Sequence, residues 1–434
     1  MSKNLFSDFQ PISKEQWKSR IIKDLKGKDY NESLRWTSDE GIVVEPFYHN
    51  EDLAKLIEEY HVPLNLHTRS DNNWLVMEKI SVEDAKTANQ KALTLLNQGA
   101  EAIEFDGKGQ ALTSSMVEEL IQGILTDAAP VSLTNFKVTS DVKLPQNIIL
   151  KQDVISEKLN TNQSVNLGKW YKDHQHLRAT YLYVDGAVYQ NAGSKMVHQL
   201  ALVLTVTNEY LAQLSASDFE QLKNIHLKLA VGSNFFFEIA KLRAVRKLLQ
   251  VLLYAYTNND VSIHLQVEST GINKSTLDSY NNMLRNTGEC MSAIIGGADI
   301  VHINAHDYLT EQTEKGKRWA RNISHILRNE SHFDKVNDPT NGSYYVEELT
   351  AELSEKAWEV FKQLEAEGGF IKSWEMGMVQ EMIQADRSAQ IEAFKSGQKV
   401  LLGVNKYGQA NLTWKDLPTP THPLAPLRLA AMLE

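Results

Sequence analysis

The second half of the chain repeats one local pattern, in which a short strand with alternating apolar residues is followed by a polar turn and a long helix. The predicted strands cover residues 178–184, 225–231, 262–268 and 300–304, and the helices after them begin near residues 195, 234, 276 and 312. Strands and helices that alternate at this spacing indicate parallel βαβ units. The first half adds weaker candidate strands at residues 63–68, 102–106, 131–135 and 148–151.

Eight strands are the number that a (β/α)8 TIM barrel requires. The alternative, an open doubly wound sheet, needs a glycine-rich phosphate turn after an early strand, and the sequence has none. We therefore predict an α/β protein with a (β/α)8 barrel at residues 61–343. Residues 1–60 form an N-terminal extension, and residues 344–434 form C-terminal helices and an extended tail.

Composition narrows the class of protein. The 434 residues are 42% hydrophobic and 23% charged, as in ordinary globular proteins, and the formal net charge of -10 argues against a nucleic-acid partner. No apolar run has membrane-spanning length, no signal peptide is visible, and Cys290 is the single cysteine, so we expect a cytoplasmic protein without membrane contact. Cys290 lies in a helical pattern and is expected to be buried and inert.

The strand alternation predicts a polar barrel interior. The apolar positions of each strand must face the surrounding helices, so the polar positions face the lumen. The side chains expected inside are Glu104, Tyr181, His226, Lys228, His264, Gln266, Glu268 and His302. Because a buried charge needs a partner, Lys228 should lie close to Glu268 or Glu104.

His226, His264 and His302 on neighbouring strands also allow a second interpretation, a zinc site. Two of the three lie in the middle of their strands, and no ligand turn accompanies them. A hydrogen-bonded network is therefore the preferred interpretation, and no metal is expected.

The segment from Val184 to Gly193, which reads Val-Asp-Gly-Ala-Val-Tyr-Gln-Asn-Ala-Gly, closely resembles a strand-to-helix turn of the methylmalonyl-CoA mutase family. In the catalytic subunits of that family the turn carries a His that contacts the thioester carbonyl of the substrate, preceded by a Tyr. Here Val188 stands at the His position and Ala187 at the Tyr position. The resemblance implies a vestigial site turn, with no catalytic residue, formed by Asp185, Tyr189, Gln190 and Asn191.

Further motifs carry the same resemblance. The family's Asn-Asn-x-x-Arg-x-Thr and Asp-Pro-x-Gly-Gly-Ser motifs are matched by Asn281, Asn282, Arg285, Thr287, Asp338 and Ser343. The family's catalytic subunits carry a Thr-Met-Arg and Tyr-Ala-Gly segment near the start of the barrel, with a tyrosine that guides the radical intermediate, and this sequence lacks it. The family's cobalt-ligand motif, Asp-x-His-x-x-Gly, occurs nowhere in the sequence.

The resemblance implies a small, non-catalytic subunit of a heterodimeric methylmalonyl-CoA mutase, with residues 1–60 in contact with the partner. This chain would bind no cofactor, and adenosylcobalamin would be carried by the large, catalytic partner subunit. The alternative is a self-sufficient barrel enzyme. It would be either an acyl-CoA mutase barrel that works with a separate cobalamin chain or a His-based metal hydrolase.

Overall fold

Eight parallel strands form one sheet that curls almost completely into a barrel. The computed structural model describes residues 10–52, 72–138, 142–145, 147–155, 181–408, 412–418, 420 and 422–434. The strands are β1 (Trp36–Thr37), β2 (Val43–Val44), β3 (Leu75–Ser81), β4 (Ala102–Asp106), β5 (Val131–Thr134), β6 (Ile148–Lys151), β7 (Tyr181–Asp185), β8 (Asn224–Val231), β9 (Ser262–Ser269) and β10 (Ile300–His302). The barrel order is β6-β5-β4-β3-β10-β9-β8-β7, which confirms the (β/α)8 prediction.

Side-chain contacts join the two ends of this sheet. The Tyr181 hydroxyl on β7 lies 2.7 Å from the backbone nitrogen of Leu150 on β6. The Asp185 backbone N–H donates to the Asp153 carboxylate at 3.0 Å. These bonds take the place of a backbone ladder between β6 and β7.

Helices cover the outside of the barrel and extend beyond it. They are α1 (Lys14–Asp24), α2 (Tyr30–Leu34), α3 (Ala85–Asn97), α4 (Ser114–Ile121), α5 (Ala187–Ala192), α6 (Met196–Leu211), α7 (Ala216–Gln221), α8 (Phe235–Tyr254), α9 (Ser279–Ile295), α10 (Glu314–Asn329), α11 (Tyr344–Ala366), α12 (Gly369–Glu375) and α13 (Met378–Lys395). Helix α11 packs against α6 and α8 as a further layer. None of the described helices is long and apolar enough to cross a membrane.

The apolar core lies between the strands and these helices. Ile225, Leu227, Leu229 and Val231 on β8 are at most 1% exposed, and they join a cluster with residues of α6, α8 and α9. The outward face of β8 is therefore apolar, as the alternation predicts, and its opposite face carries His226 and Lys228.

One barrel strand was missed by the sequence analysis. Strand β3, Leu75–Ser81, pairs with β4 and β10 and completes the eight strands. Its sequence, Leu-Val-Met-Glu-Lys-Ile-Ser, has three apolar residues in succession and so lacks the alternation of the other strands. The predicted strand at residues 63–68 lies outside the described residues.

Gly186 allows β7, α6 and β8 to approach closely. A Cβ atom at this position would lie 2.4 Å from Val203 Cγ2 and 2.9 Å from Leu229 Cδ2. We expect Gly186→Ala to lower the free energy of unfolding by about 1–3 kcal/mol, because overpacking displaces core side chains. Chemical denaturation measures this effect.

Gly288→Ala is the matched control. Gly288 lies inside α9, and its Cβ would meet no atom within 4 Å, so the gain in helix propensity should stabilise the protein by up to about 1 kcal/mol. Equal effects of the two substitutions would contradict the close approach at Gly186.

Candidate functional site

An ion-pair network fills the middle of the barrel. Lys151 Nζ lies 2.6 Å from Glu104 Oε2, and it also donates to the Gln266 amide oxygen. Lys79 Nζ lies 2.5 Å from Glu268 Oε2 and 3.6 Å from Glu104 Oε1. Side chains from four different strands therefore meet on the barrel axis.

Lys228 joins this network from β8. Its Nζ lies 3.0 Å from Asp185 Oδ2 and 3.4 Å from Glu268 Oε1. The expected pairing with Glu268 is therefore present, and Asp185 is a second and closer partner. Tyr181, the predicted lumen residue of β7, packs edge-on against His226 at 5.5 Å between ring centroids.

The network favours the charged forms of Glu268, Glu104 and Lys228. Burial alone would raise the pKa of Glu268, but Lys228 and Lys79 outweigh it and lower that pKa to about 2. Burial is likewise outweighed at Glu104, where Lys151, Lys79 and Lys228 hold the pKa well below its usual range. The pKa of Lys228 is raised, because Asp185, Glu268 and Glu104 outweigh the opposing effect of burial.

Lys79 and Lys151 were not among the predicted site residues. Lys79 lies in the missed strand β3. Lys151 is the last residue of a predicted strand and follows the apolar Leu150. Because successive residues of a strand face opposite sides, the alternation that predicted Lys228 in the lumen also predicts Lys151 there.

The three predicted lumen histidines do not converge. His226 and His264 are paired in the sheet, and their rings stack at 5.0 Å between centroids. His302 pairs with Glu268, four residues along β9 from His264, which corresponds to about 13 Å. Among the described residues, no group of three or more His, Cys, Asp or Glu side chains is arranged to hold a metal ion. The geometry therefore gives no support to the zinc alternative.

Each of these histidines has other neighbours. His264 Nε2 lies 3.0 Å from the Asn224 side-chain oxygen, and His302 Nδ1 lies 3.0 Å from the Met77 carbonyl oxygen. Burial lowers the pKa of His226 to about 3, with smaller contributions from His264 and Lys151.

A cavity of about 600 Å³ lies above the network at the C-terminal ends of the strands. Lys79, Glu104, Asp185, Lys228 and His302 line it. Ligand sites of (β/α)8 enzymes lie at this end. Every one of these five side chains already has a partner within the chain.

The turn at the end of β7 has a structural role in this chain. Ala187 is 1% exposed, and the half-buried Val188 packs against the large apolar core cluster. Gln190 donates to Glu238 Oε1 at 3.1 Å and accepts from Lys241 Nζ at 2.7 Å. Asn191 accepts from the Thr270 hydroxyl at 2.8 Å.

Tyr189, the remaining residue of this turn, is fully buried against Phe370 of α12. Asp185, Gln190 and Asn191 are therefore bonded to neighbouring elements. Val188, the residue predicted to stand at the family histidine position, has an apolar side chain.

The other predicted motif residues lie outside the barrel lumen. Asn282 donates to the carbonyl oxygens of Ser275 and His306 at 2.7 and 3.0 Å, so it connects the loops after β9 and β10. Asp338 pairs with Arg243 of α8, which also binds Glu347 of α11 at 2.6 Å.

Smaller local contacts account for the remaining motif residues. Asn281 donates to Asp278, Arg285 donates to the Leu402 carbonyl oxygen, and Thr287 donates to the Met283 carbonyl oxygen. Ser343 immediately precedes α11.

The buried thiol of Cys290 is outside the site. It contacts the Ser324 hydroxyl at 3.3 Å, and burial raises its pKa to about 12. A thiol in this state is a poor nucleophile.

The fold and this interior define a (β/α)8 barrel whose lumen is occupied by its own charged side chains. A family model described as methylmalonyl-CoA mutase matches residues 145–423, and the chain belongs to that family.

Relatives cover almost the whole chain. The methylmalonyl-CoA mutase small subunit of Porphyromonas gingivalis is 31% identical over 93% of this chain and 71% of its own length. The small subunit of Streptomyces virginiae is 25% identical over 98% of this chain and 74% of its own length. The methylmalonyl-CoA mutase of Cereibacter sphaeroides is 29% identical over 91% of this chain, which spans 64% of that protein.

The ion-pair network yields a stability prediction. Glu268→Leu should lower the free energy of unfolding by about 3 kcal/mol, because Lys79 loses its nearest carboxylate inside the barrel. We expect the lower end of the range for a broken buried pair, because Asp185 still neutralises Lys228. Urea denaturation measures the loss.

Glu359→Leu is the control for this substitution. Glu359 pairs with Lys362 on the surface of α11, where both side chains are more than half exposed, and its loss should cost less than about 1 kcal/mol. If both variants lost the same stability, the lumen pairs would not be acting as buried pairs.

His226 predicts a pH dependence of stability. Its folded-state pKa of about 3 lies below the value of about 6.5 for an unfolded histidine, so between these values the unfolded chain binds more protons. Stability should therefore fall as the pH drops below about 6.5, by at most about 1.4 kcal/mol per pH unit from this residue. Denaturation at pH 7.5 and 5.5 measures the slope.

His226→Gln should make that slope shallower, because glutamine does not titrate. His332→Gln, which changes an exposed histidine, should leave the slope unchanged. An unaltered slope in the His226 variant would show that this ring titrates with nearly the same pKa in the folded and unfolded states.

Proposed function

We propose that this chain is the small, accessory subunit of a heterodimeric methylmalonyl-CoA mutase. Its large partner would carry adenosylcobalamin and interconvert (R)-methylmalonyl-CoA and succinyl-CoA. This chain would be inactive alone and would stabilise the partner's barrel. We further propose that the complex works in the cytoplasm, a reducing compartment that suits a single, buried cysteine.

The observation that carries this proposal is Val188 at the end of β7. An isopropyl side chain neither donates a hydrogen bond nor moves a proton, so it offers nothing to a thioester carbonyl. Ala187 beside it has no hydroxyl group either. Two of the relatives with the same family resemblance are named as small subunits.

The barrel interior supports the same proposal. The salt bridges of Lys79, Lys151 and Lys228 cross the lumen from different strands, where an acyl-CoA arm would have to pass. Breaking such buried pairs costs several kcal/mol each, so a ligand would have to replace all of their interactions.

Adenosylcobalamin fits the partner better than this chain. Val188 follows the end of β7, and Asp185 at that end is already paired with Lys228. The histidines of the lumen lie within or behind the ion-pair network. We therefore assign no step of cofactor chemistry to the described residues.

The N-terminal extension is the proposed contact with the large subunit. Helix α1 has no buried residue, and its Trp17 and Ile22 are exposed, with Trp17 packed against Phe47 of the same extension. Trp36 is 47% exposed where it packs on Phe237, and Phe236 beside it is also exposed. A surface that exposes several aromatic side chains is typical of a protein interface.

A purification from the native host tests both the proposed partner and the proposed accessory role. The tagged chain should recover the large methylmalonyl-CoA mutase subunit in a 1:1 complex. With adenosylcobalamin, the complex should convert methylmalonyl-CoA to succinyl-CoA. The chain purified alone should show no turnover under the same conditions. Turnover by the lone chain would refute the accessory role.

Trp36→Ala tests the contact surface. We expect it to weaken the complex at least fivefold, because tryptophan is enriched among the interface residues whose truncation costs more than about 1 kcal/mol. Tyr254→Ala is the control, since this exposed tyrosine ends α8 about 26 Å from the Trp36 contact. Equal binding by the two variants would place the interface elsewhere.

A further inference from the structure

A second cavity, of about 400 Å³, lies outside the barrel lumen between the C-terminal rim and α13. Its walls come from the turn after β7, the loops after β8 and β9, helix α13 and the segment at Asp39 and Glu40. Segments far apart in the sequence therefore enclose it. The vestigial turn contributes Gln190, and Val188 is not among the lining residues.

The inner wall holds a buried hydroxyl group with an unused hydrogen-bonding capacity. Ser194 is 4% exposed and lines the cavity, and within the described part of the chain its Oγ has no hydrogen-bond partner. A buried polar group without a partner is costly, so the position favours a ligand or a water that completes it.

Carboxylates outnumber ammonium groups on the walls. The charged lining residues are the carboxylates of Asp39, Glu40, Glu238 and Asp386 and the ammonium groups of Lys195 and Lys399. Lys241, which neutralises Glu238 at 2.5 Å, is not a lining residue. His198, which lies 2.5 Å from Asp386, is also not a lining residue. Of the lining lysines, Lys195 lies 3.5 Å from Asp386 and Lys399 lies 3.3 Å from Asp39. Glu40 accepts the backbone N–H groups of Met196 and Val197, and within the described residues it forms no ion pair, so its carboxylate is the one that the lining leaves without a cation.

The same surroundings disfavour an anion. Helix α8 begins beside the cavity, but Glu238 in its first turn accepts the Gly232 backbone N–H at 2.7 Å. That carboxylate offsets the positive end of the helix dipole. Burial, and to a smaller degree the charge of Asp386, raises the pKa of Glu40 on the opposite wall.

The remaining wall is apolar. Met196 and Ile272 line it from the barrel side, and Ala389, Ala393 and Val400 line it from α13 and the segment after it. A ligand that fits this cavity needs an aliphatic part for this wall and hydrogen-bond donors for the other.

We propose that this cavity binds a small organic ammonium ion. An ammonium group has three donors and no acceptor, so it is able to bond to the Ser194 hydroxyl and to the neighbouring carboxylates together. The alkyl part packs against Met196, Ile272 and Ala393. This site does not depend on the assignment of the chain as an accessory subunit.

Isothermal titration calorimetry of the full chain with three probes of equal length tests the proposal. The probes are n-butylammonium chloride, n-butanol and sodium butyrate at matched ionic strength. We expect saturable binding of n-butylammonium, at least tenfold weaker binding of n-butanol, and no binding of butyrate. Butyrate binding as tight as n-butylammonium binding, or no saturable binding of n-butylammonium, would overturn the proposal.

Two variants place the binding in this cavity. Ser194→Ala should weaken n-butylammonium binding about tenfold, because a hydrogen bond to a charged group is lost. Ala389→Trp should abolish it by filling the cavity from the exposed face of α13. Ser81→Ala, in the cavity at the barrel mouth, is the control and should leave the affinity unchanged. Thermal denaturation checks that each variant folds, and unaltered affinity in folded Ser194 and Ala389 variants would overturn the proposal.

Discussion

The charged residues inside the barrel constrain the rest of this structure. Three lysine side chains, Lys79, Lys151 and Lys228, enter a lumen that (β/α)8 proteins ordinarily fill with branched apolar residues. Each ammonium group is costly to bury alone, so the strands must bring carboxylates within reach. Glu104, Glu268 and Asp185 meet this need from β4, β9 and the end of β7. The lysine and carboxylate side chains are therefore stable in the lumen only together. A ligand that entered the lumen would have to break their ion pairs.

The same constraint accounts for the polar contacts of the turn after β7. The turn after β7 connects a strand whose last residue, Asp185, belongs to the ion network, and its helical part is held by Glu238 and Lys241 through Gln190. These contacts depend on the backbone of the turn and on its polar side chains, and the side chain at position 188 takes no part in them. A valine there is compatible with the fold, because it packs against the apolar core.

The regions outside the barrel are connected to it by buried polar contacts as well as by apolar packing. Glu40 of the N-terminal extension accepts the backbone N–H groups of Met196 and Val197 at the start of α6. Asp386 of α13 accepts the N–H of Lys195 beside them. The two terminal regions therefore meet at the rim near β7 and enclose the second cavity. Trp17 and Trp36 of the same extension remain exposed.

The sequence alone determined the class of fold, seven of the eight barrel strands and the inward face of β8 and β9, because period-two alternation reports which side of a strand meets the helices. The resemblance of residues 184–193 to a family turn also predicted that Val188 stands at the position of a catalytic histidine. The sequence did not reveal β3, whose successive apolar residues obscure the alternation, or the contribution of Lys79 from that strand. Only the tertiary structure decided that Asp185 is the nearest partner of Lys228, that His302 lies far from His264, and that α13 closes a cavity over Ser194. These facts depend on the register between strands and on contacts between segments distant in the chain, which local patterns do not encode.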